Sequence, residues 1–141
     1  MLALTMVVFL DIIWRSKTME ILNAKITGTS LTMADHGCLV FWITVKGSGW
    51  GCNIGGFSIG KGYLGSSKFE GYAPGTEAIM RIMDTVGVDR WEDLKDCYIR
   101  VESEGWGGII TKIGHITDDK WFDMAEFFKS KSEEKNEINN L

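Results

Sequence analysis

Hydrophobic residues recur at every second position in several short stretches of this chain, and at every third or fourth position in a window near its middle and again near its end. Strand side chains alternate between two faces, whereas helix side chains return to one face after three or four residues. In EILNAKIT (20–27), Leu22, Ala24 and Ile26 share one face, and Asn23, Lys25 and Thr27 share the other. This predicts a half-buried strand. CLVFWITV (38–45) is an unbroken run of β-branched and aromatic residues, the composition of a central strand. CYIRVE (97–102) alternates again, with Cys97, Ile99 and Val101 inward, and IITKIGHI (109–116) returns after the turn SEGWGG (103–108). In TEAIMRIMDTV (76–86) the period changes: Ile79, Ile82, Met83 and Val86 form one helical face, and Gly87 is a natural stop.

The remaining segments fill in the order. TSLTMADHG (29–37) reads as a connection, GSG (47–49) as a hairpin turn, and WGCNIGGFSIGKGYLGSS (50–67) as a third strand running into a long mobile loop over 58–75. Asp89-Arg90-Trp91-Glu92 has capping-box spacing and predicts a short second helix. Trp121, Met124, Ala125 and Phe128 follow a helical stripe. The order β-β-β-α-(α)-β-β-α gives an α+β domain: an antiparallel sheet of about five strands packed against one main helix, with short additional helices. A single domain is expected over 19–130, with a polar tail, 131–141, that frays. The apolar start, 1–18, is interrupted by Asp11 and is shorter than the roughly 20 residues a spanning helix needs. It lacks the basic region and small-residue cleavage site of a signal peptide. We expect Met19 to be the true start; the other reading is a short apolar helix packed on the domain or lying on a membrane.

The glycines of 50–67 raise the main functional question. Gly60-Lys61-Gly62-Tyr63-Leu64-Gly65 has G-x-G-x-x-G spacing, but a dinucleotide loop must open directly into a helix. The helix here is expected about ten residues later, and a Walker loop would need Ser or Thr after Lys61. In a strand over 50–57, Trp50, Cys52 and Ile54 share one face; Gly51, Asn53 and Gly55 leave the other nearly bare. Glycine packs nothing there, so something should cover it. The candidates are an aromatic ring from the next strand, such as Trp42, the apolar N-terminus, or a ligand or partner backbone.

Catalytic and metal chemistry find little support. Asp35, His36 and Cys38 could supply two metal ligands at most, and His115 would have to join them. Cys38 or Cys52 could pair with either histidine, with no third group to orient the pair. His115 alternates with Ile109 and Ile113, as a core or edge histidine does. Asp118, Asp119 and Asp123 read as helix-start residues, and Glu102 and Glu104 as solvated charge. The three cysteines, Cys38, Cys52 and Cys97, form no disulfide or metal-knuckle spacing. No cofactor is expected. A formal charge of −4 argues against nucleic acid.

Six tryptophans are too many for so small a core. Trp50 and Trp106 sit in the glycine-flanked stretches SGWGC and EGWGG, where a ring either folds back on the sheet or serves an interface.

The segments ADHGCLVFWI, GCNIGGFSI, VGVDRWEDLKDCYIRV and IGHITDDKWF resemble a group of small proteins encoded by phages and prophages of Gram-positive bacteria. The likeness covers about residues 19–123. It rests on Asp35, His36, Gly37, Gly51, Gly55, Gly56, Trp91, Tyr98 to Val101, Gly114, His115, Trp121 and Phe122. Members of the group begin near the position of Met19. The resemblance brings no catalytic assignment. It implies an accessory gene of a mobile element, acting in the bacterial cytoplasm. The expectation is therefore a protein that acts by binding a host or phage protein, with a host-directed inhibitor, including an anti-defence role such as CRISPR inhibition, as its specific form. Two alternatives stand beside it: a small-molecule or nucleotide binder or hydrolase using the 58–75 loop and His36, and a virion or DNA-packaging accessory. The candidate binding residues are Asp35, His36, Trp50, Gly51, Asn53, Gly55, Tyr63, Arg100 and Trp106. Membrane contact is not expected unless residues 1–18 are translated and exposed.

Overall fold

The computed structural model describes residues 18–34, 36–105 and 107–141. The expectations for 1–17, for Asp35 and for Trp106 lie outside the described residues. The fold is α+β: seven antiparallel strands form one sheet, with helices packed on it. The strands are β1 (Glu20–Ala34), β2 (Cys38–Gly47), β3 (Trp50–Gly62), β4 (Phe69–Gly71), β5 (Tyr98–Ser103), β6 (Lys112–His115) and β7 (Trp121–Asp123). Their spatial order is β4-β3-β2-β1-β5-β6-β7. The chain hairpins outward from β1 to β4. The helix α1 (Ala73–Val86) and a 3-10 turn (Trp91–Leu94) then carry it back to the other side of β1. A second helix, α2 (Met124–Asn139), closes the chain.

The core follows the alternation. Ala24, Ile26, Phe41, Ile43, Val45, Ile54, Ile99, Val101 and Ile113 are buried from the sheet. Ala78 and Ile82 of α1, with Leu94 and Met124, close over them. The buried stripe of α1 is Gly75, Ala78, Ile82, Thr85 and Val86, turned slightly from the expected one, so that Ile79 and Met83 are half-buried. Gly75 sets how close the helix comes: a Cβ there would lie 2.5 Å from Ile59. Gly87 ends α1 in the left-handed region, its N–H donating to Met83 O, as a C-terminal glycine does.

Several expectations need correction. There are seven strands rather than five because β4 and β7 have three residues each, too few to show a period. β1 continues through 29–34, which read as a connection. Its register shifts between Ile26 and Gly28, so beyond the shift Thr29 and Leu31 stand opposite the buried Ile43 and Phe41, and at this end of the strand Leu31 is itself 53% exposed. The loop expected over 58–75 is largely the end of β3, all of β4 and the start of α1. The 3-10 turn has Arg90 before it with no side-chain cap, so the capping box does not form. The strand expected over 109–116 is confined to Lys112–His115. Trp121 belongs to β7, opposite Gly114, and Asp118 and Asp119 lie in the β6–β7 turn; Asp123 does cap α2, accepting from Glu126 N–H at 3.2 Å. α2 runs through the polar stretch expected to fray. There Lys131 reaches Glu134 at 3.7 Å and Glu77 of α1 at 4.0 Å.

Candidate functional site

The G-x-G-x-x-G stretch is the β3–β4 hairpin. Gly60, Lys61 and Gly62 pair with Gly71, Glu70 and Phe69, and α1 begins only at Ala73. The glycines run into a hairpin rather than directly into a helix, so the strand–glycine loop–helix order of a dinucleotide site is absent from the stretch. Residues 63–68 form the tip. Ser66 N–H donates to Tyr63 O at 2.9 Å, the Ser66 hydroxyl donates to Lys68 O at 3.2 Å, and Gly65 is left-handed with φ +83°.

A second turn leans on this hairpin. Gly62 N–H donates to Gly37 O at 2.7 Å. Gly37 has φ +76°, and a Cβ on it would lie 2.8 Å from Gly62 O and 3.0 Å from the Tyr63 ring. Only glycine accommodates both that conformation and that approach. The β1–β2 turn, with His36 at φ +57°, therefore forms one wall of an open cleft. Its volume is about 530 Å³, and His36, Lys61, Tyr63, Ser66, Lys68 and Phe69 line it. Lys61 is paired with Glu70 at 3.2 Å. Tyr63, Leu64 and Phe69 are 66%, 80% and 64% exposed. Three large apolar side chains thus stand in water at one hairpin tip.

The expected site residues are not brought together. His36 and Tyr63 meet at this cleft. Trp50, Gly51 and Asn53 lie at the far end of β3, and Arg100 lies across β1 in β5. The Trp50 ring folds onto Gly47, where a Cβ would lie 2.1 Å from its Nε1, so it covers its own hairpin. Gly55, at φ +124°, sits against Phe41 O, 2.6 Å from where its Cβ would be. Trp42, expected to cover the glycine face, lies instead on Gly56, just past it: a Cβ on Gly56 would lie 2.6 Å from that ring. Gly51 and Asn53 remain exposed. The Asn53 amide oxygen accepts from the Thr44 hydroxyl at 2.8 Å.

Arg100 is held by the fold. Its Nε donates to His115 O at 2.7 Å and its Nη2 to Asp118 O at 2.5 Å. The guanidinium lies 4.7 Å from the centre of the Trp121 ring. His115 Nδ1 accepts from the backbone N–H groups of Thr117 and Asp118. The two histidines are separated by roughly 30 Å of strand, since His115 sits level with Ala24, through Ile99, and His36 lies past Ala34. Among the described residues no three of His, Cys, Asp and Glu converge as metal ligands. Burial pushes the Cys52 thiol up. Burial also raises Cys97, helped by the Asp93 and Asp96 carboxylates. Neither is an activated thiolate. Lys61, Lys68 and Phe69 were missed as cleft residues. The signal was present in KGYLGSSKF, where lysines and large apolar residues interleave with glycine and serine.

Among the described residues no helix is long and apolar enough to cross a membrane. The chain matches no family model, and no curated protein or solved structure is significantly similar to it.

Proposed function

We propose that the protein acts by binding another protein, with the β3–β4 hairpin tip as its contact surface. The observation that carries this reading is the exposure of Tyr63, Leu64 and Phe69 at one hairpin tip, with Tyr63 and Phe69 lining the cleft. Clustered exposed apolar residues mark interaction sites, and aromatic side chains at such places supply much of the binding energy. Burying three of them contributes roughly 5 kcal/mol before association costs are subtracted. The cleft is open and walled partly by lysine chains, whereas a small-molecule pocket encloses most of its ligand. In the setting that the resemblance implies, the partner is a host protein and binding inhibits it, with a defence component as the first to test.

The test is capture from host lysate with wild-type protein and with a variant carrying Tyr63→Ser, Leu64→Ser and Phe69→Ser. All three side chains are exposed, so the variant should keep the wild-type melting temperature while losing the captured partner by about 100-fold or more. If the variant retains the partner, or the wild type captures none, the reading is wrong. A small molecule carried by the purified protein, seen by native mass spectrometry and lost in the variant, would replace it with the ligand-binding alternative.

A further inference from the structure

Phe128 of α2 stacks on Phe57 of β3 and on Tyr72, with ring centres 4.7 Å and 6.4 Å apart. This brings the following turns of α2 alongside the β3–β4 hairpin. Ser132 and Lys135 are three residues apart there, on one side of the helix. Between them and the sheet lies a second cleft, of about 330 Å³. Lys61 and Glu70 border both this cleft and the one at the hairpin tip. Its floor is bare: Gly60 and Gly71 stand opposite each other in the ladder and both border it, and a Cβ on Gly71 would meet nothing within 4 Å. Around that floor stand Lys61, Tyr72, Ser132 and Lys135.

The donors outnumber the acceptors available to them. Among the described residues that border the cleft, Glu70 is the one carboxylate, and Lys61 already holds it at 3.2 Å. Lys131, one turn before Lys135, is taken by Glu77 and Glu134. Among the described residues no ion pair holds Lys135, and no acceptor takes the Ser132 or Tyr72 hydroxyl. Two lysines against one carboxylate also reverses the balance of a chain that carries −4.

We infer that this cleft binds a small phosphate monoester, with the Lys61 and Lys135 ammonium groups and the Ser132 and Tyr72 hydroxyls donating to its oxygens. Three features select that ligand. Ammonium groups are compact point charges with three donors each, which suits a dianion approached from several sides; a planar carboxylate is matched best by the fork of arginine, and among the described residues no arginine borders the cleft. The donors come from β3, from the residue before α1 and from α2, so they surround the group rather than flank it. The volume lies at the low end for small-molecule sites, so the ligand is compact.

Cys38 borders the same cleft and is partly buried, so its thiol reports occupancy. Phenyl phosphate added to the full chain, at constant ionic strength, should slow alkylation of Cys38 by iodoacetamide about 5-fold or more, because a bound ligand fills the cleft. Peptide masses should show Cys52 and Cys97 reacting at unchanged rates. Half-saturation is expected at about 1 mM, as for a ligand of this size, and calorimetry must return the same constant. Lys135→Ala removes an exposed side chain, so the melting temperature should hold while the constant rises about 10-fold. Benzoate, with the same ring and a single charge, should bind about 10-fold more weakly. No binding of phenyl phosphate by calorimetry up to about 20 mM, equal protection of all three cysteines, or an unchanged constant in Lys135→Ala would overturn the inference. Equal affinity for benzoate would overturn the choice of phosphate. Tyr63, Leu64 and Phe69 do not border this cleft, so the triple serine variant should bind phenyl phosphate as the wild type does. Loss of binding there would move the ligand to the tip and overturn the site, and partner capture is thus decided separately from phosphate binding.

Discussion

Besides Trp50 on Gly47 at the β2–β3 turn, two tryptophans lie on glycines within the sheet, one on each side of β1. In the first wing the Trp42 ring of β2 covers Gly56 of β3; in the second the Trp121 ring of β7 covers Gly114 of β6. The device is the same, a ring filling the space where a neighbouring strand lacks a side chain. The settings differ. Gly114 lies in a regular ladder directly opposite Trp121, and Arg100 and Lys112 sit 4.7 Å and 5.5 Å from that ring. Lys112 is itself tied to Glu102 at 2.7 Å. Gly56 lies where β3 slips register, at φ +78°. One wing is a closed stack of ring, cations and carbonyls ending in a short guarded edge. The other bends, carries the hairpin tip and leaves its edge open. Covering a glycine thus seals a sheet only where the strand beneath it is regular.

The largest expected effect tests that difference directly. Gly56→Ala must overcome two obstacles. The left-handed backbone costs alanine about 1–2 kcal/mol, and displacing the Trp42 ring costs a further 1–3 kcal/mol or so. Gly114→Ala meets only the second, with its Cβ 2.5 Å from the Trp121 ring. We expect a loss of about 3 kcal/mol for Gly56→Ala and about 2 kcal/mol for Gly114→Ala, read from urea unfolding with tryptophan fluorescence. The reverse ranking would show that the closed stack, not the backbone, is the stiffer constraint.

Arg100→Lys separates charge from geometry in the second wing. Lysine keeps the positive charge but cannot reproduce the planar fork that reaches His115 O and Asp118 O while lying on Trp121. The expected cost is about 1 kcal/mol, nearly independent of salt, because lost hydrogen bonds rather than screened charge account for it. A cost that vanishes at high salt would mean that the guanidinium acts only as a point charge.

The first wing also shows what a sequence conceals. Leu22, Ala24 and Ile26 announced β1 by simple alternation, and CLVFWITV was legible as a central strand. Its apolar outer residue, Trp42, has a partner, Gly56, that only the register reveals. β1 past Gly28 was lost because one shifted residue exchanges the two faces. Trp121 satisfied a helical stripe with Met124, Ala125 and Phe128 by coincidence, since a strand that runs straight into a helix places its last residues in phase with either period. Of the candidate site, His36 and Tyr63 were legible as unusual residues near turns. Their meeting was not, because it depends on a contact between Gly37 and Gly62, segments joined only through the pairing of β2 with β3.

The smallest expected effect concerns Gly51, the glycine that shares a strand with Gly56 and none of its constraints. It has no positive φ. A Cβ there would meet Val45 O at 3.3 Å and the Lys46 side chain at 3.8 Å, so a shift of a few tenths of an ångström relieves it. Alanine lowers the entropy of the unfolded chain, which offsets that small crowding. Gly51→Ala should therefore leave unfolding stability within about 0.5 kcal/mol of wild type. If it instead costs as much as Gly56→Ala, the regular part of β3 is as tightly packed as the bulged part, and the contrast between the two wings would have to be drawn at a different residue.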